Sequence, residues 1–210
     1  MSERCGFTHR FVPSPSGSRD TVLLLLHGTG GNEDDLLDLG RELSPDSALL
    51  SPRGKVLENG APRFFRRLAE GVFDLDDVQL RAGELAAFVE CACAEYGLED
   101  ATVVAVGYSN GANIAAVTML LHPGRIHAAA LLRAMVVLEP TPPPDLSGTA
   151  VLVSAGVMDP IVPAAQAARL AGIFRAAGAA VELKRQQASH GLVRSDIFDC
   201  RDWLARIVQR

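Results

Sequence analysis

The residue types that acyl transfer needs occur at separated points of the chain, each beside a pattern that could place it. Ser109 sits in Gly107-Tyr-Ser-Asn-Gly111, a G-x-S-x-G pentapeptide between an apolar run at 102–106 and a helical pattern from 110. A strand that turns sharply into a helix strains the serine backbone, and the flanking glycines remove side chains that would strike neighbouring backbone. Such a turn would push the hydroxyl outward and set a helix N-terminus, with its unpaired N–H groups, beneath a developing oxyanion.

A serine hydroxyl is a weak nucleophile at neutral pH and needs a base. Of the five histidines, His190 in Ala188-Ser-His-Gly191 follows the last apolar run and precedes the final helical pattern, whereas His9, His122 and His127 read as structural or surface residues. A histidine base must be neutral to accept a proton, so activity is expected to fall as the pH drops through about 6.5, the ordinary imidazole value. The base needs a carboxylate to fix its tautomer. Asp159, in Gly156-Val-Met-Asp-Pro-Ile-Val-Pro163, stands at a strand end and is the best fit; an Asx turn ahead of Pro160 is its simpler reading. Asp145, Asp196 and Asp199 fit less well, lying in a proline-rich connector or in the last helix. The glycine-rich loop His27-Gly-Thr-Gly-Gly-Asn32 lacks the Lys-Ser/Thr ending of a phosphate loop. It reads as an oxyanion loop, with the backbone N–H groups of Thr29 and Asn110 as donors and His27 as a brace or a plain structural histidine.

These residues need strand ends to carry them. Short apolar runs alternate with helical periods, the pattern of βα units and a largely parallel sheet. Strands are expected at 21–26, 47–51, 101–106, 127–132, 149–154 and 180–185, and helices at 33–43, 76–96, 110–121, 163–177 and 195–209. Leu85, Phe88, Val89, Ala92 and Tyr96 give the second helix its apolar face. Residues 6–12 could add an antiparallel edge strand. Two segments, 52–74 and 139–148, show no regular element; the first is long enough to cover a pocket, and the second reads as an extended connector. The whole, residues 1–210, reads as one domain, with 1–20 as an edge strand and turn.

The segments Leu26–Glu33, Gly107–Ile114, Gly156–Pro163 and Ser189–Leu192, together with the chain order Ser109, Asp159, His190, resemble the small phospholipase/carboxylesterase family of α/β-hydrolases. The likeness runs from about Thr21 onward, and Ser51-Pro-Arg-Gly54 and Arg63-Phe-Phe-Arg-Arg67 bring it nearer to bacterial carboxylesterases than to acyl-protein thioesterases. The thioesterase branch carries a bulky apolar residue where this chain has Thr29. The resemblance implies an α/β-hydrolase fold with a mostly parallel central sheet, helices on both faces and a minimal lid. It also implies no cofactor and often a homodimer. The expected activity is that of a serine carboxylesterase on small or medium-chain esters, through an acyl-enzyme. Thioesters and lysophospholipids on the same site are alternatives, and a non-catalytic hydrolase-fold binding protein is the alternative of another class.

Composition narrows the remaining choices. A net charge of −5 gives no general attraction to nucleic acid or to anionic lipid, and the early apolar stretch at 22–26 is too short to span a bilayer, so a cytoplasmic protein with neither as partner is expected; the small-molecule ester substrate is what the motifs and the resemblance imply. Cys91 and Cys93 are separated by one residue within a helical pattern and point apart, which suits neither a metal site nor a redox pair. Cys5, Cys91, Cys93 and Cys200 therefore read as free thiols in a reducing compartment. Phe64, Phe65, Phe73 and Leu192 are candidates for an acyl pocket, although aromatic residues more often build core. Arg63, Arg66 and Arg67 read as a solvated basic face, with attraction of an anionic group as the alternative.

Overall fold

The computed structural model describes residues 4–208. In chain order its elements are β1 (His9–Val12), β2 (Thr21–Leu26), α1 (Leu37–Leu43), β3 (Ala48–Pro52), β4 (Val56–Glu58), β5 (Ala61–Arg63), β6 (Arg67–Ala69) and β7 (Val72–Phe73). There follow α2 (Leu75–Tyr96), β8 (Thr102–Tyr108), α3 (Asn110–Leu121), β9 (Ala128–Leu132), β10 (Ala150–Gly156), α4 (Ala164–Ala176), β11 (Ala180–Gln186) and α5 (Arg194–Val208). Position 209 of the last expected helix, and residues 1–3 and 210 of the expected 1–210 domain, lie outside the described residues.

The order β1-β3-β2-β8-β9-β10-β11 makes a seven-stranded sheet, parallel throughout except for the edge pairing of β1 with β3. This is the α/β-hydrolase arrangement. Helices α2, α3 and α4 cover one face and α1 and α5 the other. A strand buried on both faces has no polar side to show, which is why β2 reads Thr-Val-Leu-Leu-Leu-Leu and is buried at every position. Leu24 and Leu26 pack toward the larger core, and Leu23 and Leu25 toward the smaller one with Trp203. Helix α3 is buried from Asn110 to Leu120, so it carries no polar face and anchors the turn before it from within the core.

Three expectations are corrected. Residues 52–74 hold two small antiparallel hairpins, β4 with β5 and β6 with β7, whose strands of two or three residues are too brief to show a period of two. The first helix begins at Leu37 rather than at 33, because Glu33 is drawn into a pair with Arg53 and residues 33–36 form turns. Cys5 and Cys91 are not free thiols: they form a disulfide that ties the N-terminal turn to α2, whereas Cys93 and Cys200 are free and buried. The pair is separated by 86 residues and is brought together by tertiary packing, not by local spacing. With it the case from cysteine usage for a reducing compartment is lost. Among the described residues no helix is long and apolar enough to cross a membrane.

Candidate active site

The C-terminal ends of the parallel strands carry the site. After β8 the chain turns at Ser109 with φ 52° and ψ −115°, a conformation costly for a residue with a side chain, and enters α3 at once. Hydrogen bonds from Ser109 N–H to Leu132 O (2.8 Å) and from Asn113 N–H to Ser109 O (2.9 Å) hold the turn. The two glycines are steric requirements: a Cβ on Gly107 would lie 2.6 Å from Ala112 Cα, and one on Gly111 would overlap the Leu26 carbonyl.

Asp159 follows β10 and His190 follows β11, and the sheet brings both to Ser109. Ser109 Oγ lies 2.9 Å from His190 Nε2, and His190 Nδ1 lies 2.8 Å from Asp159 Oδ2. A carboxylate only accepts, so Nδ1 carries the proton of a neutral imidazole and Nε2 presents its lone pair to the serine hydroxyl. Asp159 also makes the Asx turn, since Oδ1 accepts from the N–H groups of Ile161 (2.8 Å) and Val162 (2.9 Å). Its two readings are therefore compatible, one oxygen serving each. Burial pushes the Asp159 pKa up, but the Val162 N–H, His190 and the Ile161 N–H outweigh it and hold the carboxyl below its ordinary value.

The loop after β2 lies beside this row. His27 is buried; its Nε2 accepts from Gly54 N–H (3.0 Å), which leaves Nδ1–H to donate to Gly28 O (2.6 Å). It braces the loop. Gly30 N–H donates to Pro62 O (2.9 Å), tying the same loop to the first hairpin. Thr29 and Asn110 both reach the cavity that contains Ser109 and His190. Asn110 is held by Phe64 N–H on its Oδ1 (2.7 Å), while its Nδ2 is buried without an acceptor.

The cavity has a volume of about 340 Å³. Of the expected pocket residues, Phe73 lines it. Phe64 and Phe65 do not, being packed into the core at 2% and 0% exposure, Phe65 edge-on to Phe73. Leu192 faces a separate depression with His27, Gly28 and Tyr108. The expected solvated basic face is also corrected: Arg66 is exposed, but Arg63 is only 3% exposed and lines the cavity with Arg67. Sequence reasoning missed Asn113, Met135, Ile161 and Val162 in the cavity wall, and Tyr108, whose hydroxyl donates to His190 O (3.2 Å).

It also missed Arg133. This residue follows β9 at φ 57° and sends a fully buried guanidinium under the His190 loop. Nε donates to Ser189 O (3.1 Å) and Nη2 to Gly191 O (3.0 Å), so the carbonyls on both sides of His190 are held by one rigid fork. Asp196 neutralises it through both oxygens (2.9 and 2.7 Å) and also accepts from Ser154 Oγ and Val193 N–H. Asp196, set aside in the sequence because it lies in the last helix, acts on the loop through this arginine.

Known proteins share this fold and much of this sequence. The chain is 44% identical over 187 residues, 89% of its length and 94% of the relative's, to the putative hydrolase MhqD of Bacillus subtilis. The crystal structure of a Bacillus cereus carboxylesterase superposes with a TM-score of 0.94 at 39% identity, covering 97% of this chain and 96% of that one. A carboxylesterase from Mesorhizobium loti superposes with a TM-score of 0.88 at 34% identity, covering 95% and 94%. The sequence matches the Phospholipase/Carboxylesterase family over residues 7–207. With the match spanning nearly every element described above, the chain belongs to the phospholipase/carboxylesterase family of hydrolases.

Proposed function

We propose that this protein is a serine carboxylesterase in which Ser109 is the nucleophile, His190 the general base and acid, and Asp159 the group that orients and stabilises the imidazolium. The observation that carries this reading is the hydrogen-bonded row Ser109–His190–Asp159, at 2.9 and 2.8 Å, opening on a cavity that Thr29 and Asn110 also line. His190 Nε2 takes the hydroxyl proton as Oγ attacks the ester carbonyl. The backbone N–H groups of Thr29 and Asn110 receive the negative charge that develops on the carbonyl oxygen. Collapse of the tetrahedral species transfers that proton to the leaving alkoxide, and the acyl group stays on Ser109. Water then attacks with its proton passing to His190, and the acid leaves as the serine recovers its hydrogen.

A cavity of 340 Å³ is at the small end for ligand sites, which favours short acyl and alcohol groups over a lysophospholipid chain. Two of the structural relatives are named carboxylesterases, in line with this preference. The assembled row argues against a binding protein that has lost turnover. The test is hydrolysis of short p-nitrophenyl esters: Ser109→Ala is expected to lower kcat by about 10⁴-fold or more. Near-normal turnover by that variant would end the assignment.

A further inference from the structure

The two hairpins contribute Arg63, Arg67, Glu70 and Phe73 to the wall of the Ser109 cavity. Arg63 is fixed in place: Nε donates to Phe65 O (3.2 Å) and Nη1 to Thr29 Oγ1 (2.7 Å). Among the described residues its carboxylate partner is Glu58, with Oε2 3.2 Å from Nε. The same carboxylate serves Arg67, whose Nε donates to Glu58 Oε1 (2.8 Å). One anion is thus shared by two guanidinium groups. The second anion is Glu70, which takes Arg67 Nη1 at 2.5 Å from the turn between β6 and β7 but is 61% exposed. The charges balance at rest, two against two, yet one of the balancing carboxylates is external and loosely committed.

The rest of the wall has a matching character. Asn110, Asn113 and His190 complete the polar wall around the serine. Phe73, Met135, Ile161 and Val162 supply apolar surface for a short carbon skeleton. Burial, followed by the like charge of Arg67, lowers the Arg63 pKa, as expected for two guanidinium groups set close together in a poorly solvated place. A pair that only stapled the hairpins would not need to face the cavity of the reacting serine.

We infer that the ester hydrolysed here carries a carboxylate close to the scissile bond, and that this carboxylate displaces Glu70 from Arg67 while Arg63 provides a second, fixed positive charge. The inference rests on the acyl-transfer reading of Ser109. The exchange is favoured because the Arg67–Glu70 pair is screened by solvent, whereas a substrate carboxylate inside the cavity meets guanidinium donors in a less polar medium and can bind two of them at once.

The carboxylate could belong to the acyl or to the alcohol side, and two substrate pairs separate these cases. Mono-p-nitrophenyl glutarate against p-nitrophenyl valerate tests the acyl side; 4-acetoxybenzoate against p-tolyl acetate tests the alcohol side. In at least one pair the charged ester is expected to have the higher kcat/KM. Arg67→Gln should lower the charged-to-neutral ratio roughly 10- to 100-fold, the value of a hydrogen bond to a charged group. Glu70→Gln should raise it. Thermal melting of both variants checks that they are folded. Neutral esters turned over as well as or better than their charged partners in both pairs would overturn the inference and leave the acyl-transfer reading standing. A ratio unmoved in both variants would overturn it too. No turnover of any ester by the unmodified protein would remove both.

Discussion

Arg133 and Arg67 are both tied to carboxylates near the Ser109 cavity, but their settings are opposite. Arg133 is sealed from solvent, is bound by Asp196 through two nitrogens, and spends its remaining donors on the carbonyls that flank His190 and on Ser154. Arg67 is partly exposed and shares its carboxylates with Arg63 and with water. Burying a charged pair costs desolvation that is recovered only when every donor is used, so the sealed arrangement is rigid and intolerant of loss. An exposed pair contributes little and can be exchanged. The first therefore suits a part that must stay in place, the His190 loop, and the second a surface that has to accept something else.

The largest effect should come from breaking the sealed cluster. Arg133→Met strands the Asp196 carboxylate in the core and is expected to cost about 3–5 kcal/mol, measured by denaturant unfolding. Arg133→Met combined with Asp196→Leu should recover much of that stability but not the rate, because neither carbonyl beside His190 is then held. Arg133→Lys keeps the charge without the fork; kcat should fall on the order of 10²-fold with KM little changed, the mark of displaced geometry. An unchanged kcat in that variant would reduce Arg133 to a packing role.

Next in size is the disulfide between the N-terminal turn and α2. Reducing Cys5–Cys91 should lower stability by about 2–5 kcal/mol, a loss read from melting with and without reductant, while kcat at 25 °C stays the same. A fall in kcat at full folding would show that the braces are not separable.

The loop between the two clusters gives a pH signature. His27 is neutral in the fold: burial lowers its pKa, and the Gly28 carbonyl and the nearby Asp35 and Glu33 only partly oppose this. A histidine with a lowered folded pKa contributes stability that is fully present above the unfolded value of about 6.5 and is lost as the pH falls below it. Melting temperature should therefore decline on acidification from pH 7. His27→Gln keeps an acceptor for Gly54 N–H without a titrating group and should shallow the decline. Some slope remains, because burial also lowers the pKa of His127. An identical slope in the variant would assign the effect elsewhere.

The smallest stability effect belongs to the open cluster. Arg67→Gln should change unfolding free energy by less than about 1 kcal/mol, in contrast to Arg133→Met. A loss as large as that of the sealed pair would erase the distinction between them.

What the sequence made legible follows the same division between local and distant causes. The turn at Ser109 is local: its glycines, the apolar run before it and the helix after it are contiguous, and the fold places them as read. Runs buried on both faces, such as β2, announce themselves by having no polar position. The apolar runs ahead of Asp159 and His190 put both at strand ends, and the structure brings Asp159 within hydrogen-bonding distance of His190 and His190 within that of Ser109. The failures depend on contacts far along the chain. Cys5 meets Cys91 only because the N-terminal turn packs on α2. Arg63 and Arg66 look equivalent in a basic pentapeptide, yet one is fixed to Thr29 inside the cavity and the other pairs with Asp74 in solvent. Phe65 and Phe73 are both aromatic and belong to the same segment, but only Phe73 borders the cavity. Burial in this segment is decided by how residues between and within two short hairpins pack back on the core and on the loop at Thr29, for which periodicity has no signal.

The proposed chemistry stands or falls with Ser109 as a nucleophile activated by His190. Incubation with a fluorophosphonate, followed by mass spectrometry of the digested protein, tests it directly. One phosphonyl adduct is expected, located on Ser109 and absent from Ser109→Ala. No adduct, or an adduct at another serine that persists in that variant, would contradict it.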